Sequence, residues 1–183
     1  LTNFGGSSII LSELAAGQDP EFINIDGADQ AALTVSVRGF KPASADQADM
    51  TVTGVTAFTL TGDSYVSTAA QGNEIGLVTV NSVDTVTIST TGTGGYAANA
   101  NALLLQGVSA DNAQTLQVTV GANDTLTSDA DIDTGNSIAQ TVGVTVGENG
   151  TLTITGNDLD LGSSVVNTIT VNNGIGGTIS TLD

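Results

Sequence analysis

Residues 131–154 read DIDTGNSIAQTVGVTVGENGTLTI, and residues 158–181 read DLDLGSSVVNTITVNNGIGGTIST. Laid over one another at an offset of 27 residues, they share Asp131/Asp158, Asp133/Asp160, Gly135/Gly162, Ser137/Ser164, Thr141/Thr168, Val144/Val171, Gly147/Gly174, Gly150/Gly177 and Thr151/Thr178. The apolar places exchange like for like, as Ile132/Leu159, Ile138/Val165, Val142/Ile169 and Leu152/Ile179. One such copy is too short to bury its own apolar face. Stacking copies about 4.8 Å apart, the spacing of hydrogen-bonded strands, places Val on Val and Leu on Ile in continuous columns.

The frame extends backward. Val118-Thr119-Val120-Gly121 and Thr125-Leu126-Thr127 recur 26 residues later as Val144-Thr145-Val146-Gly147 and Thr151-Leu152-Thr153. Fainter copies fill the first half. Met50 to Val55 followed by Phe58 to Thr61 matches Val78 to Val83 followed by Val86 to Ser89, at an offset of 28, and Ile23 to Ala28 with Leu33 to Val35 lies one step earlier. Leu103 to Val108 continues the series, with an insertion expected at Asp111 to Gln114. From Phe22 onward the apolar alternation has period two, the signature of strands, and Thr, a good strand residue, occurs 28 times. Gly, Asn, Asp and Ser separate the runs and mark corners where positive φ is needed. The expected fold is all-β, a parallel β-solenoid of about six rungs of roughly 25–32 residues over 22–183, with a β-sandwich of short strands as the alternative. Residues 1–21 stand apart as an N-terminal cap on the stack or an arm that packs on a neighbouring subunit. There Ser8 to Ala16 reads as two helical turns, ended by Gly17 and Pro20.

Composition bounds the function. Nineteen acidic residues face only Arg38 and Lys41, for a formal net charge of -17. A duplex or an anionic membrane needs clustered Lys and Arg, so nucleic acid and membrane surfaces are excluded as partners, while inorganic cations are attracted. Charged residues are still only 11% of the chain and hydrophobic ones 39%, which argues for a packed core over disorder. The absence of Cys and His removes disulfides, thiolate chemistry and imidazole metal sites. No stretch reads as a signal peptide or a membrane span.

Asp129-Ala130-Asp131-Ile132-Asp133 begins like a calcium loop, with oxygen ligands at alternate positions, but Thr134 stands where such a loop has Gly and Gln140 where it has Glu. The repeat makes a stronger case. In register, Asp131 sits on Asp158 and Asp133 on Asp160, and like charges one strand spacing apart repel unless a cation or a raised pKa relieves them. Asp129, Asp131, Asp133, Asp158 and Asp160 are therefore the candidate Ca2+ ligands. The alternative is a solvated acidic edge with Ile132 and Leu159 turned inward. Thr125/Thr127, Thr151/Thr153 and Thr178/Ser180 form stacked Thr-x-Thr pairs of the kind that order water on ice-binding solenoids, or plain strand surface. Asn123-Asp124-Thr125 and Asn149-Gly150-Thr151 are glycosylation sequons and equally good turns. Phe22, Phe40 and Phe58 read as core, with contacts to a neighbouring copy as the alternative. An enzyme is not expected: two basic residues cannot bind and polarise an acidic polysaccharide, and aromatics at 3% supply no sugar-stacking platform.

Rungs such as Val80-Asn81-Ser82-Val83-Asp84-Thr85-Val86-Thr87-Ile88 and Gly147-Glu148-Asn149-Gly150-Thr151-Leu152-Thr153-Ile154 resemble the Thr-rich β-solenoid regions of bacterial surface-layer proteins, autotransporter passenger domains and adhesins. That resemblance, over roughly 22–183, implies a secreted, cell-surface structural protein that self-assembles with copies of itself into a layer or filament, with calcium support and a cell-surface glycan as further partners. An adhesin or ice-binding module is the alternative function. The Gly-Gly-x-Gly-x-Asp core of the calcium-binding toxin repeats is absent.

Overall fold

The computed structural model describes residues 1–12, 20–40, 48–63, 72–91, 102–110, 112–134, 140–155 and 166–181. The described residues form thirteen strands: β1 (Ser8–Ser12), β2 (Phe22–Arg38), β3 (Asp49–Gly62), β4 (Glu74–Val80), β5 (Thr85–Thr90), β6 (Leu103–Ser109), β7 (Thr115–Val120), β8 (Thr125–Ser128), β9 (Ile132–Asp133), β10 (Gln140–Val146), β11 (Thr151–Ile154), β12 (Val166–Asn173) and β13 (Thr178–Thr181). Every pairing between them is parallel. The fold is a parallel β-solenoid of about five turns.

The strands form three stacks. On the first face β1, the second half of β2, the second half of β3, β5, β7, β10 and β12 lie on one another in that order. The second face stacks the first halves of β2 and β3, then the ends of β4 and β6, then β9. The third face begins at Glu74 and Ile75 and continues through the start of β6, β8, β11 and β13. The registers bear out the repeat: Val142 pairs with Ile169 and Leu152 with Ile179 (offset 27), Val118 with Val144 (26), and Phe58 with Val86 (28).

Period-two alternation explains the core. Along β5 and β7 every second side chain is buried. The inner rows read Leu33, Phe58, Val86, Leu116, Val142 and Val35, Leu60, Ile88, Val118, Val144 on the first face, all buried. Met50, Val78, Val108 and Ile132 form the inner row of the second face, and Leu103, Leu126 and Leu152 that of the third. Burying one such side chain contributes about 1.5–3 kcal/mol.

Three sequence expectations change. Ser8 to Ser12 are a strand, not a helix: they pair in register with Thr34 to Arg38, and the β2 edge supplies backbone partners that an isolated two-turn helix lacks. The insertion does not lie at Asp111 to Gln114. Ile75 already pairs with Leu105 and Val78 with Val108, thirty residues on, whereas Gly62 pairs with Thr90 at twenty-eight, so the extra residues enter before Leu103. Phe40 and Phe58 are core, but Phe22 opens β2 on its outer side and is 66% exposed.

The corners divide by cause. Asn123, Asn149 and Gly176 hold equivalent places in three successive turns, all with positive φ (59°, 53° and 72°). Gly147 is needed for a different reason: a Cβ there would lie 2.7 Å from the Ala122 amide nitrogen, so the backbones touch.

Candidate functional site

The acidic triplet sits where the third face turns into the second. Leu105 pairs with Ser128 and Val108 with Ile132, so three residues, Asp129 to Asp131, oppose two, Gln106 and Gly107. The extra residue is a bulge at the corner. Its ends are held by the backbone: the Asp129 amide donates to the Leu105 carbonyl (2.8 Å), the Val108 amide to the Asp131 carbonyl (3.0 Å) and the Ala110 amide to the Asp133 carbonyl (2.8 Å). The Ser128 hydroxyl closes the turn onto the Ala130 carbonyl at 2.7 Å. Asp129 is exposed, Asp131 and Asp133 half-buried, and Ile132 is fully buried between them.

Asp133 pairs across the ladder with Ser109, not with another carboxylate. The stacking that would repel, Asp131 on Asp158 and Asp133 on Asp160, falls outside the described residues, because Asp158 and Asp160 do. Among the described residues no three acidic groups come close enough together to hold a metal ion.

The two sequon asparagines stack. The Asn149 side-chain amide lies 3.4 Å from the Asn123 Oδ1, and both residues adopt the left-handed conformation that Asn tolerates better than most. The Thr-x-Thr pairs also stack, Thr125 on Thr151 on Thr178 and Thr127 on Thr153 on Ser180. Arg38 pairs locally, as its setting in an acidic chain suggests: Nε and Nη2 both donate to Asp63 Oδ2, at 2.8 and 2.6 Å.

Two features escaped the sequence. Asn73 is fully buried and every polar atom of its side chain is used. Its Oδ1 accepts from the Gly39 amide (2.6 Å), and its Nδ2 donates to the Asp63 carbonyl (2.9 Å) and the Ala102 carbonyl (2.7 Å), tying three successive turns. In the sequence it looks like any Asn beside a Gly in a loop. The second is the outer surface of the first face. It carries three rows: Ala32, Ala57, Thr85, Thr115, Thr141, Thr168; Thr34, Thr59, Thr87, Gln117, Gly143, Thr170; and Ser36, Thr61, Ser89, Thr119, Thr145, Asn172. The period-two alternation contains these rows, but only the register reveals them as one surface.

No family model, curated protein or solved structure matches this chain. The solenoid geometry is consistent with a structural or scaffolding role, and among the described residues no helix is long and apolar enough to cross a membrane.

Proposed function

We propose that this chain is a non-enzymatic structural protein of the cell exterior that builds a filament or surface layer by stacking copies end to end. One observation carries this reading. At the carboxyl-terminal end, Ile169 and Val171 continue the inner rows of the first face, yet they are 59% and 56% exposed, and Ile175 at the adjoining corner is 86% exposed. β12 pairs with β10 along one edge, and among the described residues nothing pairs with the other. An open parallel edge with apolar side chains at alternate positions is a template for another strand. The other end of the same stack is β1, whose Ile9 and Leu11 occupy the matching inner positions. A second copy set with its β1 on β12 preserves strand direction, alternation and the outer rows. Calcium belongs to this reading as a stabiliser held between Asp131, Asp133, Asp158 and Asp160, with Asp129 at the rim.

Electron microscopy of the purified chain, with and without a chelator, tests it. Ordered filaments or sheets that loosen on chelation are expected. A chain that stays monomeric at every calcium concentration contradicts the assembly, and filaments indifferent to the chelator remove calcium from it.

A further inference from the structure

The outer surface of the first face is the longest uncharged surface among the described residues, six strands deep, whereas the outer rows of the third face are shorter and begin at Glu74. The chain carries 19 acidic residues, yet none stands in the three rows from Ala32 to Asn172, nor does Arg38 or Lys41. The acids lie elsewhere: Asp26, Asp131 and Asp133 on or beside the second face, and Asp63, Asp84 and Glu148 at corners. Thr and Ser dominate the rows. Within the face the Thr61 and Ser89 hydroxyls pair with each other at 2.9 Å. Where Gly143 carries no side chain, Gln117 of the preceding turn lies over it. At the first turn Ile10, 62% exposed, continues the row of Ser36.

We infer that this face is the lateral contact between filaments, and that its occupant is the same face of a second copy. The inference rests on the end-to-end reading above. Two chains of net charge -17 repel wherever acidic surfaces meet, and the three rows of this face bring no carboxylate into such a contact along six stacked strands. Its area supports a contact between filaments rather than between single chains. Strands rising about 3.3 Å per residue and spaced about 4.8 Å apart give roughly 400–500 Å² per copy over the six stacked strands of the rows. That is about half the roughly 800 Å² per partner of a stable pair. Repetition along a filament supplies the rest, because each further contact forms at high effective concentration. Threonine faces packed in this way exclude water and interdigitate as dry sheet pairs do.

Two variants separate this inference from the reading it rests on. Thr119→Glu with Thr145→Glu places carboxylates on neighbouring turns of the face. Ile169→Asp with Val171→Asp places them on the open end. Thr119→Ser with Thr145→Ser is the control, and circular dichroism verifies that each variant is folded. Electron microscopy and sedimentation at low and high salt are the readouts, with thermal hysteresis measured alongside. Wild type and the Ser variant are expected to form laterally ordered sheets, more readily at high salt. The Glu variant should give single filaments with sheets lost at the same concentration, and the Asp variant no filaments. Wild-type filaments that never associate laterally overturn the inference and leave the end-to-end reading standing. Sheets that persist in the Glu variant also overturn it. Lateral pairs without filaments support the face and contradict the ends, whereas a monomer under all conditions contradicts both. Thermal hysteresis abolished by the Glu variant, without lateral association, assigns the face to ice instead.

Discussion

The two halves of the coil close differently. In the amino-terminal half the end is covered: the Phe4 amide donates to the Asp26 carbonyl (2.8 Å), the Asp26 amide to the Leu1 carbonyl (2.9 Å), and Phe4 packs on the core. β1 lies over the first face, and one layer below it Leu33, Val35 and Val37 are already at most 1% exposed. The carboxyl-terminal half lacks both features. No aromatic residue follows Tyr96, the corners shorten to tight turns such as Gly147 to Gly150, and the last inner row faces solvent. The two ends of the described coil therefore differ: Ile9 and Leu11 of β1 are partly buried, whereas Ile169 and Val171 of β12 are exposed. The more regular half carries the most exposed inner-row residues among those described, Ile169 and Val171.

The largest expected effect sets the two halves against each other within one inner row. Phe58→Ala should cost about 3–5 kcal/mol, since the side chain is fully buried and its neighbours cannot collapse into the void. Ile169→Ala, at the open end of that row, should cost the dilute chain less than about 1 kcal/mol. Urea melts of both variants compare them, and equal losses would mean that the end is covered in solution. Next is the interior clamp of the first half. Asn73→Ala strands the buried Gly39 amide and removes a donor from the Asp63 and Ala102 carbonyls, for a loss of about 1–3 kcal/mol in all.

In the second half the corner asparagines serve conformation more than bonding. Asn149→Ala should cost about 1–2 kcal/mol for its left-handed backbone, and Asn149→Gly close to nothing, since Gly176 already fills the equivalent place one turn later. Thermal melts that rank the Gly variant below the Ala variant would show that the side-chain ladder matters more. The smallest effect belongs to the surface pair. Arg38→Ala should change stability by at most about 1 kcal/mol, because Arg38 is half exposed, and salt should diminish the difference further.

The same contrast explains what the sequence revealed. Register was legible wherever a period-two run recurs intact, which is why Val142 on Ile169 and Phe58 on Val86 could be read directly. Loops carry no such signal, so the sequence pattern puts the extra residues at Asp111 to Gln114 rather than before Leu103. Ser8 to Ser12 read as helix because local pattern cannot express the ladder that β2 offers. Of the candidate site, the acidic triplet is legible in the sequence, but the corner and the bulge that separates Asp129 from the strand are not, since both depend on the partner β6. The exposure of Ile169 was equally invisible. Its sequence setting is that of any inner residue.

Hydrogen exchange followed strand by strand across protein concentration tests the open end most directly. β12 amides should exchange quickly in dilute solution and gain protection as concentration rises, while β5 and β7, buried between neighbours, stay protected throughout. β12 exchange that is the same at every concentration would contradict the account.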